Sequence, residues 1–143
     1  MSDMQQILLS GEFDHALDPK GRVTLPARYR DHFEHGAVLV RFPDGEPCIC
    51  VYHPDSWREF DAKYIEPLNV FESEADAWRA REIYTNQDHV EPDRQGRVLL
   101  SSQRIKELEL VGKVKIIGNR DHLEIWNPDT LAARKAERRG GNA

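Results

Sequence analysis

Apolar and polar positions along this 143-residue chain run through the same succession twice. The segments A-V-L-V-R-F (37–42) and K-V-K-I-I (113–117) read as alternating apolar runs and predict strands. Each is followed by residues that accept hairpin dihedrals, P-D-G-E-P or G-N-R-D, and then by a second strand. Each is preceded by a short helical piece, A-R-Y-R-D-H-F (27–33) or S-Q-R-I-K-E-L (102–108). Both copies close on V-Y-H-P-D-S or I-W-N-P-D-T, where proline and an Asp/Ser/Thr cluster mark the end of a strand and an N-cap. Between the copies, Ser56 and Glu59 have capping-box spacing, and Trp57, Phe60 and Tyr64 line one face of a helix that Pro67 ends. A second helix is predicted from about Ser73 to Tyr84, with Phe71, Ala75 and Trp78 on its inner side. The predicted order is strand, loop, strand, helical turn, hairpin and helix, twice, with one extra helix between.

The most similar parts of the two copies are D-P-K-G-R-V-T-L (18–25) and D-R-Q-G-R-V-L-L (93–100), 75 residues apart and identical at five of eight positions. A period that long, present only twice, is not a solenoid. It predicts a duplicated unit folded about a pseudo-twofold axis, a mixed α+β protein of two β-rich halves flanked by helices. In each motif Asp18 or Asp93 can accept hydrogen bonds from amides two residues on, and Gly21 or Gly96 can take positive φ, so the chain closes into a tight loop. Arg22 and Arg97 then offer planar forks that suit phosphate or the O6/N7 edge of guanine, with Lys20 and Arg94 beside them. They are expected on exposed loop tips. Against this stands the plainer reading of a surface turn held by an Asp–Arg pair.

Charge changes the picture. The chain carries a net −5, which opposes approach to a polyanion. Yet residues 18–30 hold Lys20, Arg22, Arg28 and Arg30 against Asp18 alone, and residues 93–106 hold Arg94, Arg97, Arg104 and Lys106 against Asp93 alone, a net of +3 each. Segment 55–92 is net −6, with ten acids and four bases. Local potential rather than total charge attracts nucleic acid, and each motif is a basic island. Arg28 and Arg104 follow the motifs on short helical pieces, where a solvated face is as reasonable as a contact. The tail R-K-A-E-R-R-G-G-N-A reads as a frayed basic end.

Other chemistry is poorly represented. The N-terminus has no basic region ahead of an apolar run, and that run is only Ile7, Leu8 and Leu9, so a cytoplasmic protein without membrane contact is expected. Cys48 and Cys50 share one face of a strand, a poor disulfide geometry that suits core packing. His32 and His35 have ligand spacing but no further ligands near in sequence, and no C-x-x-C, H-E-x-x-H, G-x-S-x-G, P-loop or dinucleotide fingerprint occurs. Neither a metal, a cofactor, a small-molecule substrate nor a catalytic set is expected. An enzyme that held phosphate on the basic loops would lack a paired base or nucleophile.

The two D-x-x-G-R motifs, with V-T-L-P, V-Y-H-P-D-S-W and I-W-N-P-D-T, make residues 11–131 resemble the MraZ family of bacterial proteins, built from two tandem SpoVT/AbrB-type domains with a D-x-x-x-R signature. One departure is Ser101 where the first copy has Pro26, which bears on the shape of the second loop. The resemblance implies SpoVT/AbrB-type domains at 11–54 and 86–129, a helical connector at 55–85, and a C-terminal helix and tail at 130–143. It also implies a nucleoid-associated transcription regulator that binds double-stranded DNA at direct-repeat boxes upstream of the cell-division and cell-wall gene cluster, its own promoter included, and that assembles into ring-like homo-oligomers. The rival reading is a non-catalytic oligomeric interaction module, antitoxin-like or a scaffold, whose loops are structural.

Overall fold

The computed structural model describes residues 7–141; the first six residues of the N-terminal segment and the last two of the tail lie outside them. In the first copy, β1 (Glu12–Ala16) and β2 (Arg22–Thr24) flank the first motif loop, a 3-10 turn spans Ala27–Tyr29, and β3 (Ala37–Val40) and β4 (Ile49–Tyr52) form a hairpin. The connector holds α1 (Pro54–Phe60), a π-turn over Asp61–Ile65, and α2 (Glu74–Thr85). The second copy supplies β5 (Gln87–Val90), β6 (Arg97–Leu99), α3 (Ser102–Glu107), β7 (Lys113–Asn119) and β8 (His122–Trp126), and α4 (Pro128–Gly141) ends the fold. The mixed α+β class and the duplication stand as expected.

Strands of three to seven residues cannot hold as isolated hairpins, and here they solve the problem by pairing across the copies. One six-stranded antiparallel sheet runs β1-β7-β8-β4-β3-β5, and a separate two-stranded ribbon joins β2 to β6. Exchanging each strand for its counterpart (β1 for β5, β3 for β7, β4 for β8) reverses the sheet order and leaves it unchanged. The pseudo-twofold axis therefore passes between β4 and β8, at the Cys50–Glu124 pair, and through the ribbon at Val23–Val98. Of the strand pairs among the described residues, the β3–β4 and β7–β8 hairpins are the ones internal to a copy.

Both faces of the sheet are covered, so β3 and β4 are buried at every position rather than alternating. On one face Leu39, Ile49, Val51, Ile116, Leu123 and Ile125 meet Val23, Val98, Leu25 and Phe33 of the ribbon side. On the other, Val38, Val40, Cys50 and Tyr52 pack against Trp57, Ile65, Ile83 and Leu131 from the helices.

Local sequence sets the helix ends, with corrections. Ser56 does not cap α1; Pro54 occupies the first turn, where its missing N–H costs nothing, and His53 Nδ1 accepts from the Asp55 amide at 3.0 Å. Ser73, near which the second helix is predicted to begin, caps α2 by accepting from the Asp76 amide at 3.1 Å. The inner face of α2, however, is Ala80 and Ile83, while Phe71 and Trp78 are 97% and 55% exposed. Three apolar residues at helical spacing mark a stripe, and only packing decides whether the stripe faces the core. Over residues 134–141 the tail is not frayed: α4 continues to Gly141, tied by buried Leu131 and by ion pairs from Arg134 to Glu46 and Lys135 to Glu12. The Pro26/Ser101 departure also has its reason. Ser101 Oγ accepts from the Arg104 amide at 3.2 Å and starts a six-residue helix, whereas Pro26 offers no side-chain acceptor and is followed by a three-residue 3-10 turn.

Candidate nucleic-acid interface

The two motif loops share one hydrogen-bond plan. Asp18 Oδ1 accepts from the amides of Lys20 (2.9 Å) and Arg22 (2.8 Å), and Oδ2 accepts from Arg22 Nε at 2.7 Å. Asp93 Oδ1 accepts from the amides of Gln95 (2.9 Å) and Arg97 (2.9 Å), and Oδ2 from Arg97 Nε at 2.6 Å. The Gly21 and Gly96 amides close the turns onto the Asp18 and Asp93 carbonyls at 3.0 and 2.9 Å, with φ of 84° and 75°. Each glycine is required by that left-handed backbone. The arginine amide, against some desolvation, then the guanidinium and the neighbouring amide, hold Asp18 and Asp93 below the ordinary carboxylate value.

Arg22 and Arg97 are not on the loop tips. The glycine turns the chain straight into the ribbon, so the next residue opens β2 or β6, and the side chains are 30% and 28% exposed. The tips are Pro19–Lys20 and Arg94–Gln95, all exposed. The Asp–Arg pair of the plainer reading is present in both loops, but it engages only Nε. Among the described residues the Nη groups of both forks make no hydrogen bond, so each guanidinium is oriented by its aspartate and still has donors to offer.

Strand alternation completes the surface. Val23 and Val98 point into the core, so Arg22, Thr24, Arg97 and Leu99 share the outer face. Arg22 pairs with Leu99 and Thr24 with Arg97, which makes the two arginines diagonal neighbours, about 7–8 Å apart at the backbone. Thr24 and 60%-exposed Leu99 went unnoticed in the sequence, although R-V-T and R-V-L at strand period would have revealed them.

The other basic residues divide. Arg28 is exposed and lies over the Phe13 ring. Arg104 leaves the basic face: it is 6% exposed and pairs through Nε with Asp88 at 3.0 Å. Arg30 runs beneath the second loop, where a Cβ on Gly96 would lie 2.4 Å from its Nε. At the equivalent place in the first loop, Gly21 faces Ile105 Cδ1 at 3.2 Å. His32 is not joined to His35, which is exposed; its ring lies 4.9 Å from that of His53.

The chain matches the family model described as "MraZ protein, putative antitoxin-like" over residues 8–79 and 83–137, in both copies. The chain belongs to the MraZ family. Relatives include the "Transcriptional regulator MraZ" of Thermomicrobium roseum, 36% identical over 124 residues, covering 87% of this chain and 84% of that one. The proteins of the same name from Heliobacterium modesticaldum (32%, covering 84% of this chain and 81% of that one) and Lactiplantibacillus plantarum (34%, 83% and 82%) are similar over nearly the same span. Family membership thus covers both motif loops and the ribbon between them.

Proposed function

We propose that this MraZ-family chain is a non-enzymatic transcription regulator that binds double-stranded DNA by laying the β2–β6 ribbon in the major groove. The observation that carries the reading is the display of two aspartate-oriented arginine forks on one face of a two-stranded ribbon. A B-DNA major groove, about 12 Å wide, admits such a ribbon. Arg22 and Arg97 make the base or phosphate contacts that decide affinity, Lys20 and Arg94 at the loop tips flank them on phosphates, and Asp18, Gly21, Asp93 and Gly96 shape the loops. Each fork is ordered before DNA arrives, which lowers the entropy lost on binding. The names of the relatives support the regulatory role. On this reading the targets are direct-repeat boxes upstream of the cell-division and cell-wall gene cluster, including the chain's own promoter, and the protein works in the cytoplasm at the nucleoid, without a cofactor. No helix among the described residues is long and apolar enough to cross a membrane.

The repeat units remain 11–54 and 86–129, joined by the connector 55–85 and followed by 130–143, and the protomers assemble into a ring-like homo-oligomer. Exposed Phe71, Trp78 and Tyr84 on and beside α2 support self-association and also favour the rival, an interaction module. One titration separates them: affinity for the chain's upstream region and for a shuffled duplex, each at two salt concentrations. Tighter binding to the native duplex is expected, with Arg22→Ala and Arg97→Ala each costing about 1–3 kcal/mol. Lys20→Ala and Arg94→Ala should weaken both duplexes alike and flatten the salt slope by about 0.9 for each phosphate no longer neutralised. Equal affinity for both duplexes would remove the specific regulator, and binding to neither would leave the interaction module.

A further inference from the structure

At the pseudo-twofold axis the second core contains a group of side chains that apolar packing does not explain. Cys48, immediately before β4, and Cys50 on it both lie in the second core, and Glu124 is the cross-strand partner of Cys50 on β8. The two sulfurs and a Glu124 oxygen all lie within 4.8 Å of one another. Both thiols are buried, and neither is in a disulfide. A free cysteine serves well as a small apolar residue, so the thiols alone would call for no comment. A largely buried carboxylate set against two thiols, among Tyr52, Trp57 and Trp126, is different, because a buried charge needs partners.

Glu124 has partners on every side. Trp126 Nε1 donates to Oε1 at 2.9 Å, Asn119 Nδ2 donates to Oε2 at 3.1 Å, and His122 Nε2 lies 2.9 Å from Oε2. His122 is itself fixed, stacked on the Tyr52 ring at 4.9 Å and hydrogen-bonded through Nδ1 to Asp121. A carboxylate oriented by an aromatic N–H, an amide and an imidazole, with thiols in front of it, is how metal-ligating carboxylates are commonly supported.

We propose that Cys48, Cys50 and Glu124 form a site for a thiophilic divalent cation, Zn²⁺ in the first instance, with His122 as an outer partner that orients Glu124. The distances suit it. Zn–S bonds of about 2.3 Å and Zn–O bonds of about 2.0–2.2 Å at tetrahedral angles require ligand atoms about 3.6–3.8 Å apart, so closure from within 4.8 Å needs only small side-chain rotations. Two thiolates favour Zn²⁺ over Mg²⁺ or Ca²⁺, which prefer shells made of oxygen. Three protein ligands leave a fourth position open. The ion would tie β4 of the first copy to β8 of the second, the strand pair on the axis, and so clamp the two copies together. Sequence spacing could not have suggested this, since the third ligand lies 74 residues beyond Cys50.

The test uses the full chain, reduced and freed of metal, titrated with Cd²⁺ while thiolate-to-metal charge-transfer absorption is followed in the ultraviolet, and melted with and without Zn²⁺. One Cd²⁺ per chain and an upward Tm shift with Zn²⁺ are expected. Cys50→Ala and Cys48→Ala should abolish the saturable absorption, and His122→Gln, which keeps both thiols and the carboxylate, should weaken binding by about 10–100-fold. Because cysteine variants can loosen the core, Glu124→Gln serves as the second arm: it should bind Cd²⁺ at least tenfold more weakly while melting cooperatively without metal. Absence of both the absorption and the Tm shift in the parent chain would overturn the site. So would a Cd²⁺ affinity that Glu124→Gln leaves unchanged, since the metal would then be meeting two thiols and nothing built around them.

Discussion

Replacing Gly96 by alanine should damage the protein more than the same change at Gly21, although the two residues occupy equivalent places in twin loops. Both glycines have positive φ, and forcing alanine into left-handed backbone costs about 1–2 kcal/mol. The surroundings then differ. At Gly21 a new Cβ would sit 3.2 Å from the Ile105 methyl and 3.3 Å from the Leu100 carbonyl oxygen, tight but nearly tolerable. At Gly96 it would sit 2.4, 2.7 and 2.8 Å from Nε, Cδ and Cγ of Arg30, closer than a Cβ comes to a non-bonded atom in a folded protein. Arg30 must move, at an overpacking cost of about 1–3 kcal/mol. Among the described residues its buried Nε has no hydrogen-bond partner, so moving it breaks no hydrogen bond there. The expected totals are about 2–5 kcal/mol for Gly96→Ala and about 1–2 kcal/mol for Gly21→Ala. Urea denaturation at fixed protein concentration measures both, provided the m-value is unchanged. The decisive comparison is the double-mutant cycle with Arg30→Ala. With Arg30 truncated, Gly96→Ala should cost only the backbone part, leaving a coupling energy of about 1–3 kcal/mol. If Gly96→Ala costs the same in both backgrounds, within about 0.5 kcal/mol, the arginine does not set the environment of the second loop.

Trp57→Ala, in the second core, should cost about 3–5 kcal/mol in the chain's own stability, whereas Trp78→Ala on the exposed stripe should change it by no more than about 0.5 kcal/mol and instead lower the mass seen by light scattering; a large stability loss at Trp78 would contradict its placement. Asp18 and Asp93 have folded pKa values below their ordinary 3.8, so their contribution to loop stability is fully present above about that pH and disappears as pH falls through the lowered values. The Nε–H signals of Arg22 and Arg97 in an NMR titration should therefore move with a midpoint below pH 3.8, and a midpoint at or above that value would mean the ion pairs are not formed in solution. If the oligomer presents many ribbons to DNA, fluorescence anisotropy should show binding to phased repeats up to about 10²–10⁴-fold tighter than to one box, with a loss when half a helical turn is inserted; indistinguishable curves would separate assembly from DNA reading.

The sequence by itself determined what four or five neighbouring residues can settle. In D-x-x-G-R the carboxylate, the glycine and the arginine amide lie within one turn, so the loop closes the same way in both copies whatever surrounds it. The caps at Ser73 and Ser101 and the two hairpins are local in the same sense: the hairpins and a helix start near Ser73 were legible, and Ser101 was signalled by a visible departure. Tertiary structure decided everything that depends on partners distant along the chain. The pairing of β1 with β7 and β5 with β3 follows from strands too short to stand alone, and no local preference encodes it. Burial on both faces overrode the alternation expected of β3, and packing turned Ala80 and Ile83 inward while leaving Phe71 and Trp78 outside. Arg104 looked like its neighbours in the basic island, yet Asp88 draws it into the protein; Arg22 and Arg97 looked like loop tips, yet the ribbon half-buries them. The twin motifs thus came to rest on different supports, Ile105 under one glycine and Arg30 under the other, because the side chain that fills each space belongs to the opposite copy.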